Sequence, residues 1–334
     1  MRESLNNKCR LFIDNRDAFK KAFPMEISYL YPSCASFFTD AGRLADVDAL
    51  KDARRVLRSR VGVFSNFRST CELPIVAMLA LSDDQEKRIE DTVTVYGLLK
   101  EHFWGSEYLP LAAMIISGSA SSEAYEEVCA RTRQIYNVMK KEHPMITSSE
   151  DCVSSALFAV SGMSDGEIVR DTEICYENLK KKFGSGNFLQ SLSHVLALSN
   201  DGVRTASDKC RDTARLYDLL KENKHRYSKS YDLASLGILA MLDRDMNETV
   251  RDLIEVSEFL KSQRGYGFWG FGKQQRLAHA AMIVTGECAG ASMNASGTIA
   301  SGAVTMIAAQ QAALCAAILS SIIITNAARN SSQR

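Results

Sequence analysis

Proline is scarce in this 334-residue chain, with 5 residues, and glycine is modest, with 19. Collagen-like and linker-type chains are therefore excluded. There is no charge of one sign to spare: 40 basic residues meet 40 acidic ones, for a formal net charge of zero. A broad nucleic-acid-binding surface normally announces itself as a basic excess, so none is expected. An apolar content of 46% with balanced charge argues against intrinsic disorder and for a large buried core. No two of the nine cysteines form a C-x-x-C pair, and their number is odd. That pattern fits neither a zinc site nor a disulfide framework. It fits reduced thiols packed as small hydrophobes. The opening residues, MRESLNNKCRLFIDNRD, hold no apolar stretch of signal-peptide length, so a cytoplasmic protein is expected.

What the chain does have is a beat. Tyr-x-x-(Leu/Met)-Lys recurs at Tyr96, Tyr136, Tyr176 and Tyr217, in steps of 40, 40 and 41 residues. A further step of 40 reaches Ser257, with Leu260 and Lys261 in register. Around the first occurrence Ile89, Val93, Tyr96 and Leu99 line one face of a helix, and the opposite face is charged. Start signals precede these helices: Ser82 with Gln85, Ser164 with Glu167, and Asp245 with Glu248. Lysines gather at the other end, as in Lys140–Lys141 and Lys180–Lys181–Lys182, where they suit the helix dipole. The recurring tyrosines read as core residues whose hydroxyls need partners, drawn from the adjacent unit.

A second, more apolar segment precedes each amphipathic helix: PIVAMLALS, PLAAMIISG, SSALFAVSG, SLSHVLALS and SLGILAMLD, with LAHAAMIVTG as the last. These Ala-rich segments, apolar on most sides, read as short helices buried between neighbours. Pro74 and Pro110 fall where a first helical turn tolerates them. No sustained period-2 alternation is present, so strands are not expected.

The fold class is therefore all-α: antiparallel helical hairpins of about 40 residues that must stack, because one pair cannot bury its own apolar face. Residues 1–60 read as a degenerate cap. Residues 61–287 form the repeat domain, continuous with that cap. Residues 288–302 read as a connector, and residues 303–328 as an uncharged, Ala-rich C-terminal helix. An open α-solenoid is preferred, with a closed α/α toroid as the alternative.

The runs FSNFRSTCELPIVAMLALSDD (64–84), FWGSEYLPLAAMIISG (103–118), KKEHPMITSSED (140–151), SGNFLQSLSHVLALS (185–199) and GFWGFGKQQRLAHAAMI (267–283) resemble one bacterial family of unknown function, number 4003 in the DUF series. The tail motif IAAQQAAL is similar as well. The resemblance implies an all-helical cytoplasmic protein and carries over no catalytic residue and no ligand.

Candidate chemistry is sparse. GFWGFGK (267–273) has the glycine and lysine frame of a phosphate loop, but Gln274 stands where magnesium needs Ser or Thr, and a helix precedes it. It reads instead as an aromatic plug with a glycine turn, leaving Lys273 and Arg276 as anion-binding candidates at a helix start. Trp104 and Trp269, in echoing FWG motifs, are candidates for a shared aromatic groove, against the plainer reading of plugs between units. His102 and His143 read as helix-end residues, and His194 and His279 as buried core histidines. No catalytic residue, cofactor or metal is expected. From Cys288 to Ala328 no residue is charged, and 303–325 is long enough to cross a bilayer, although Gln310 and Gln311 at depth favour a soluble or oligomerising helix. The expected role is non-enzymatic, as a protein-interaction or scaffold protein whose partner is another protein or itself. The alternatives are an enzyme or small-molecule binder, and membrane association through 303–325.

Overall fold

The computed structural model describes residues 1–199, 202–229, 233–267 and 270–296, with side chains described as far as Cys288. Among these residues the fold is all-α, with fourteen α-helices and no strand. Only an isolated bridge joins Tyr266 and Phe271. The segment 303–328 lies outside the described residues. Among those described, no helix is long and apolar enough to cross a membrane.

After a first helix, α1 (Glu3–Ala22), short and long helices alternate. The short ones are α2 (Leu30–Asp40), α4 (Glu72–Leu81), α6 (Leu109–Ser119), α8 (Asp151–Val160), α10 (Asn187–Leu198) and α12 (Leu233–Ala240). The long ones are α3 (Val47–Arg60), α5 (Gln85–His102), α7 (Tyr125–Glu142), α9 (Asp165–Phe183), α11 (Ala206–Glu222) and α13 (Met246–Lys261). The last described helix is α14 (Lys273–Ser296), which runs on through part of the segment read as a connector. Alanine and methionine there favour continued helix.

The division of labour follows composition. In α4 the buried set includes Leu73, Pro74, Ile75, Val76, Ala77 and Leu79, so the helix is enclosed on nearly every side. In α5 only Ile89, Thr92, Val95 and Leu99 are buried, a single stripe. Pro74 and Pro110 sit in the first turns of α4 and α6.

Ser164 and Glu167 form the expected capping box on α9, and Asp245 caps α13. A further box, Thr205 with Asp208, caps α11. The Ser82–Gln85 expectation is corrected. Asp84 caps α5 by accepting from the Lys87 amide, while the Ser82 hydroxyl donates back to the Met78 carbonyl and closes α4. A carboxylate nearer the helix start wins over a hydroxyl two residues earlier.

The chain divides into two compact units. Among the described residues, unit 1 comprises 1–18, 35–45 and 163 onward, and unit 2 comprises 19–34 and 46–162. In unit 2, α5 packs beside α3 and α7, while α6 packs beside α4 and α8. In unit 1, α11 packs beside α9 and α13, while α12 packs beside α10 and α14. Each unit thus has one layer of long helices and one of short ones, the latter joined in unit 1 by the longer α14. In unit 1 the first helix also meets the last ones: Arg2 pairs with Asp252 at 2.8 Å, and the Phe12 ring lies 6.3 Å from that of His279.

Equivalent residues make equivalent contacts. Thr92, Thr132 and Thr213 each donate to the carbonyl four residues back, at 2.7, 2.7 and 2.8 Å. The tyrosines one turn on are packed edge-to-face by a phenylalanine from the loop or helix end before them. Phe67 packs on Tyr96 at 4.9 Å, Phe103 on Tyr136 at 5.3 Å, and Phe183 on Tyr217 at 5.2 Å. Tyr176 and Tyr217 are buried, while Tyr96 and Tyr136 are half-buried. The Tyr96 hydroxyl accepts from Asn66 in the preceding loop.

Candidate functional site

Two places gather side chains that packing alone does not explain. The first is the turn between α13 and α14 in unit 1. The chain doubles back so that the Phe271 amide donates to the Gly265 carbonyl at 2.9 Å and the Gly267 amide to the Phe271 carbonyl at 3.2 Å. Gly265 and Gly267 both adopt positive φ, which a side chain would strain. Tyr266 and Phe271 turn inward against His279, with ring centroids 5.7 and 4.7 Å away. The Tyr266 hydroxyl and His279 Nδ1 are 2.9 Å apart. Burial, aided by the nearby Arg16 guanidinium, pushes the His279 pKa down to about 3, so the ring is neutral. Arg16 itself lies over the Tyr266 ring, 5.6 Å from its centroid. Of the plug expected in 267–273, Phe271 packs inward, joined by Tyr266 from just before that run; Phe268 and Trp269 lie outside the described residues.

Lys273 and Arg276 do not converge on a common point. Lys273 Nζ donates to the Lys224 carbonyl at 2.8 Å. Arg276 is buried, and its Nε donates to the Ser257 hydroxyl at 3.1 Å. The Gly272 amide at the start of α14 is already taken by the Gln275 side chain. His194 is buried, as His279 is, and His102 and His143 stand at helix ends. Trp269 lies outside the described residues, so its sharing of a groove with Trp104 does too. The described cysteines are free thiols, all buried except Cys288. Among the described residues, no three His, Cys, Asp or Glu side chains cluster as a metal site would need.

The second place is the loop edge of unit 2, where the long helices end. Trp104 is there, 94% exposed, so it does not plug a junction. The reason is local: Phe103, its neighbour, takes the buried position against Tyr136, and the next side chain must point out. Three residues that sequence reasoning passed over stand in corresponding loops. Met25 is 95% exposed, Phe64 fully exposed and Met145 93% exposed. Their positions, 25, 64, 104 and 145, keep the forty-residue beat, which is the signal that would have found them.

These loops are built to be firm. The Tyr31 hydroxyl donates to the Phe23 carbonyl at 2.7 Å and lies 3.0 Å from that of Glu26. Arg68 Nη2 reaches back to the carbonyls of Arg58 and Val61 at 2.5 and 3.1 Å. Lys140 Nζ donates to the Pro144 and Thr147 carbonyls at 2.7 and 2.6 Å. Successive loops are also tied together. Asn66 Nδ2 donates to the Ser106 carbonyl at 2.9 Å, and the Thr70 hydroxyl donates to Glu107.

Beneath the first two loops lies an ion cluster. The buried Glu72 carboxylate pairs with Arg54 and, at 2.6 Å, with Arg58; Arg54 also holds Glu26 at 2.5 Å. Burial alone raises the Glu72 carboxyl, but the two guanidiniums outweigh it and hold its pKa below the ordinary value. Every long helix of this edge ends on bases: Lys20 and Lys21, Arg58 and Arg60, Lys100 and His102, Lys140 and Lys141. The edge therefore offers exposed apolar side chains on fixed loops, behind which helix ends bring lysines and arginines, with Glu26, Glu101, Glu107 and Glu142 among them.

The chain is similar to "Uncharacterized protein YeaA" of Bacillus subtilis (strain 168), with 23% identity over 282 residues, covering 83% of this chain and 82% of that protein. No solved structure matches it. The model of DUF4003, described as a protein of unknown function, matches residues 16–312, nearly the whole of both units, and the chain is a member of that family.

Proposed function

We propose that the protein works by binding rather than by catalysis, as a helical-repeat interaction or scaffold protein in the cytoplasm whose docking surface is the loop edge of unit 2. The observation that carries this reading is the register of Met25, Phe64, Trp104 and Met145, each exposed at the same point of the beat. Large apolar side chains held outward on pinned loops cost solvation unless a partner covers them. The repeat itself draws support from the recurring threonine and tyrosine contacts within each unit.

An enzyme or small-molecule binder is the second reading. It draws support from the polar residues that meet in unit 1, where Arg16, Tyr266 and His279 come from α1, the turn and α14. Against it stands their enclosure, since Tyr266 and His279 are buried and bonded to each other.

Cross-linking in the native host tests the binding reading. The wild-type chain should be recovered in assemblies larger than itself, and the M25S/F64S/W104S/M145S variant largely as the free chain. Equal assembly sizes for the two, together with equal recovery of the two in the membrane fraction, would remove the reading.

A further inference from the structure

We propose that the unit 2 loop edge docks on the surface of an anionic lipid bilayer. Met25, Phe64, Trp104 and Met145 enter the interfacial layer, and the lysines behind them face the headgroups. The inference rests on the binding reading above and names its partner.

The form of the edge selects the partner. Protein hot spots cluster at the centre of a patch and fill matching pockets. Here each tip is on its own loop and more than nine-tenths exposed, with Val63 beside Phe64, and Ile27 and Tyr29 near Met25, exposed to a lesser degree. A bilayer interface receives separate tips without shape complementarity, and tryptophan is favoured at that depth. Charge points the same way. Lys20, Lys21 and Lys141 are exposed in the last turns just before Met25 and Met145. Exposed Lys100 and His102 precede Trp104. Glu101, Glu107, Glu142 and Glu150 oppose this in part; Lys100 precedes Glu101 and Lys141 precedes Glu142, and Glu26 is held by Arg54. Arg58 and Arg60 are engaged with Glu72 and with Glu86 and Glu90, so the attraction falls to the lysines. A lysine near an anionic leaflet strengthens binding about fivefold, and the gain fades with salt.

The firmness of the loops completes the case. Side chains already satisfy several carbonyls that flank the tips, which lessens the unpaired backbone that insertion would bring toward lipid. The same position in unit 1 carries Gly184, Ser185 and Gly186, which have nothing to insert.

Sedimentation of the full wild-type chain with vesicles is the primary test. It should co-sediment with phosphatidylcholine–phosphatidylglycerol vesicles, lose that binding as salt rises, and ignore vesicles of pure phosphatidylcholine. The M25S/F64S/M145S and K20Q/K21Q/K141Q variants should each bind about tenfold more weakly or worse. In a Trp269→Phe chain, Trp104 becomes the sole tryptophan, and its emission should shift to the blue on the anionic vesicles alone. Absence of binding, equal binding by the M25S/F64S/M145S variant, or an unshifted Trp104 would each overturn the proposal. If vesicles fail while cross-linked assemblies still depend on the tips, the partner is a protein, and the lipid inference falls while the binding reading stands. If neither depends on the tips, both fall.

Discussion

The loops that follow the long helices hold corresponding places in the two units but are filled in opposite ways. In unit 2 they send Met25, Phe64, Trp104 and Met145 outward. In unit 1 one such loop is Gly184–Ser185–Gly186, and another folds Tyr266 and Phe271 inward onto His279. A loop beyond a helix end contributes little to the shared core, so its content is free to serve either packing or recognition. The glycines that end the two FWG motifs, Gly105 and Gly270, carry the contrast further.

Glycine at the end of each motif gives the sharpest contrast. At Gly270 a Cβ would lie 2.0 Å from the Gly265 carbonyl oxygen, a backbone atom that cannot step aside. At Gly105 the nearest atom is Asn66 Nδ2 at 3.5 Å, an ordinary contact. Gly270→Ala should cost about 3 kcal/mol or more or prevent soluble expression, and Gly105→Ala about 0.5 kcal/mol or less. Urea melts of both variants measure this, and equal losses would erase the distinction.

The next contrast lies within one loop. Phe67 is fully buried against Tyr96, while Phe64 is fully exposed. Phe67→Ala should lower stability by about 3–5 kcal/mol and Phe64→Ala by no more than about 0.5 kcal/mol.

Acidity should pull the two units in opposite directions. His279 in unit 1 has a folded pKa of about 3, below its ordinary value, so the unfolded chain takes up the proton first. Its contribution to stability is present near neutrality and is lost as pH falls from about 6.5 towards 3. Asp151 in unit 2 is pushed up to about 7, chiefly by burial. The folded state there holds the proton more tightly, so stability falls as pH rises from about 4 towards 7. Each effect is on the order of 1–3 kcal/mol. Hydrogen exchange should show α14 amides better protected at pH 7 than at pH 5, and α8 amides the reverse. Asp151→Asn should flatten the α8 trend, and slopes of one sign in both helices would refute the assignment.

The smallest contrast concerns helix starts. Ser164 closes a capping box on α9, whereas Ser82 only bonds back within α4. Ser164→Ala should cost about 1 kcal/mol and Ser82→Ala a few tenths, both read from thermal melts.

The all-α class was legible because a 3.6-residue stripe and an Ala-rich, all-round apolar helix are patterns set by burial. Of the four recurring tyrosines, Tyr96, Tyr136 and Tyr217 each take an edge-on phenylalanine, and burial differs along the series, with Tyr176 and Tyr217 buried and Tyr96 and Tyr136 half-buried. The candidate edge was mostly hidden. An exposed methionine and a buried one look alike in a string, and only the fold tells Phe64 from Phe67. Lys273 and Arg276 looked like neighbours at a helix start, yet one reaches Lys224 and the other Ser257. Side-chain direction depends on which helix packs alongside, and a single sequence does not list its neighbours.

The pairing of Arg2 with Asp252 and of Phe12 with His279 sets an order of events during synthesis. The opening helix leaves the ribosome long before its counterparts exist, and at about 5–20 residues per second it waits tens of seconds for them. Unit 2 residues 46–162 emerge in one stretch and need no such delay. A nascent chain stalled before residue 246 should therefore hold α3 to α8 folded while α1 is still digestible by protease.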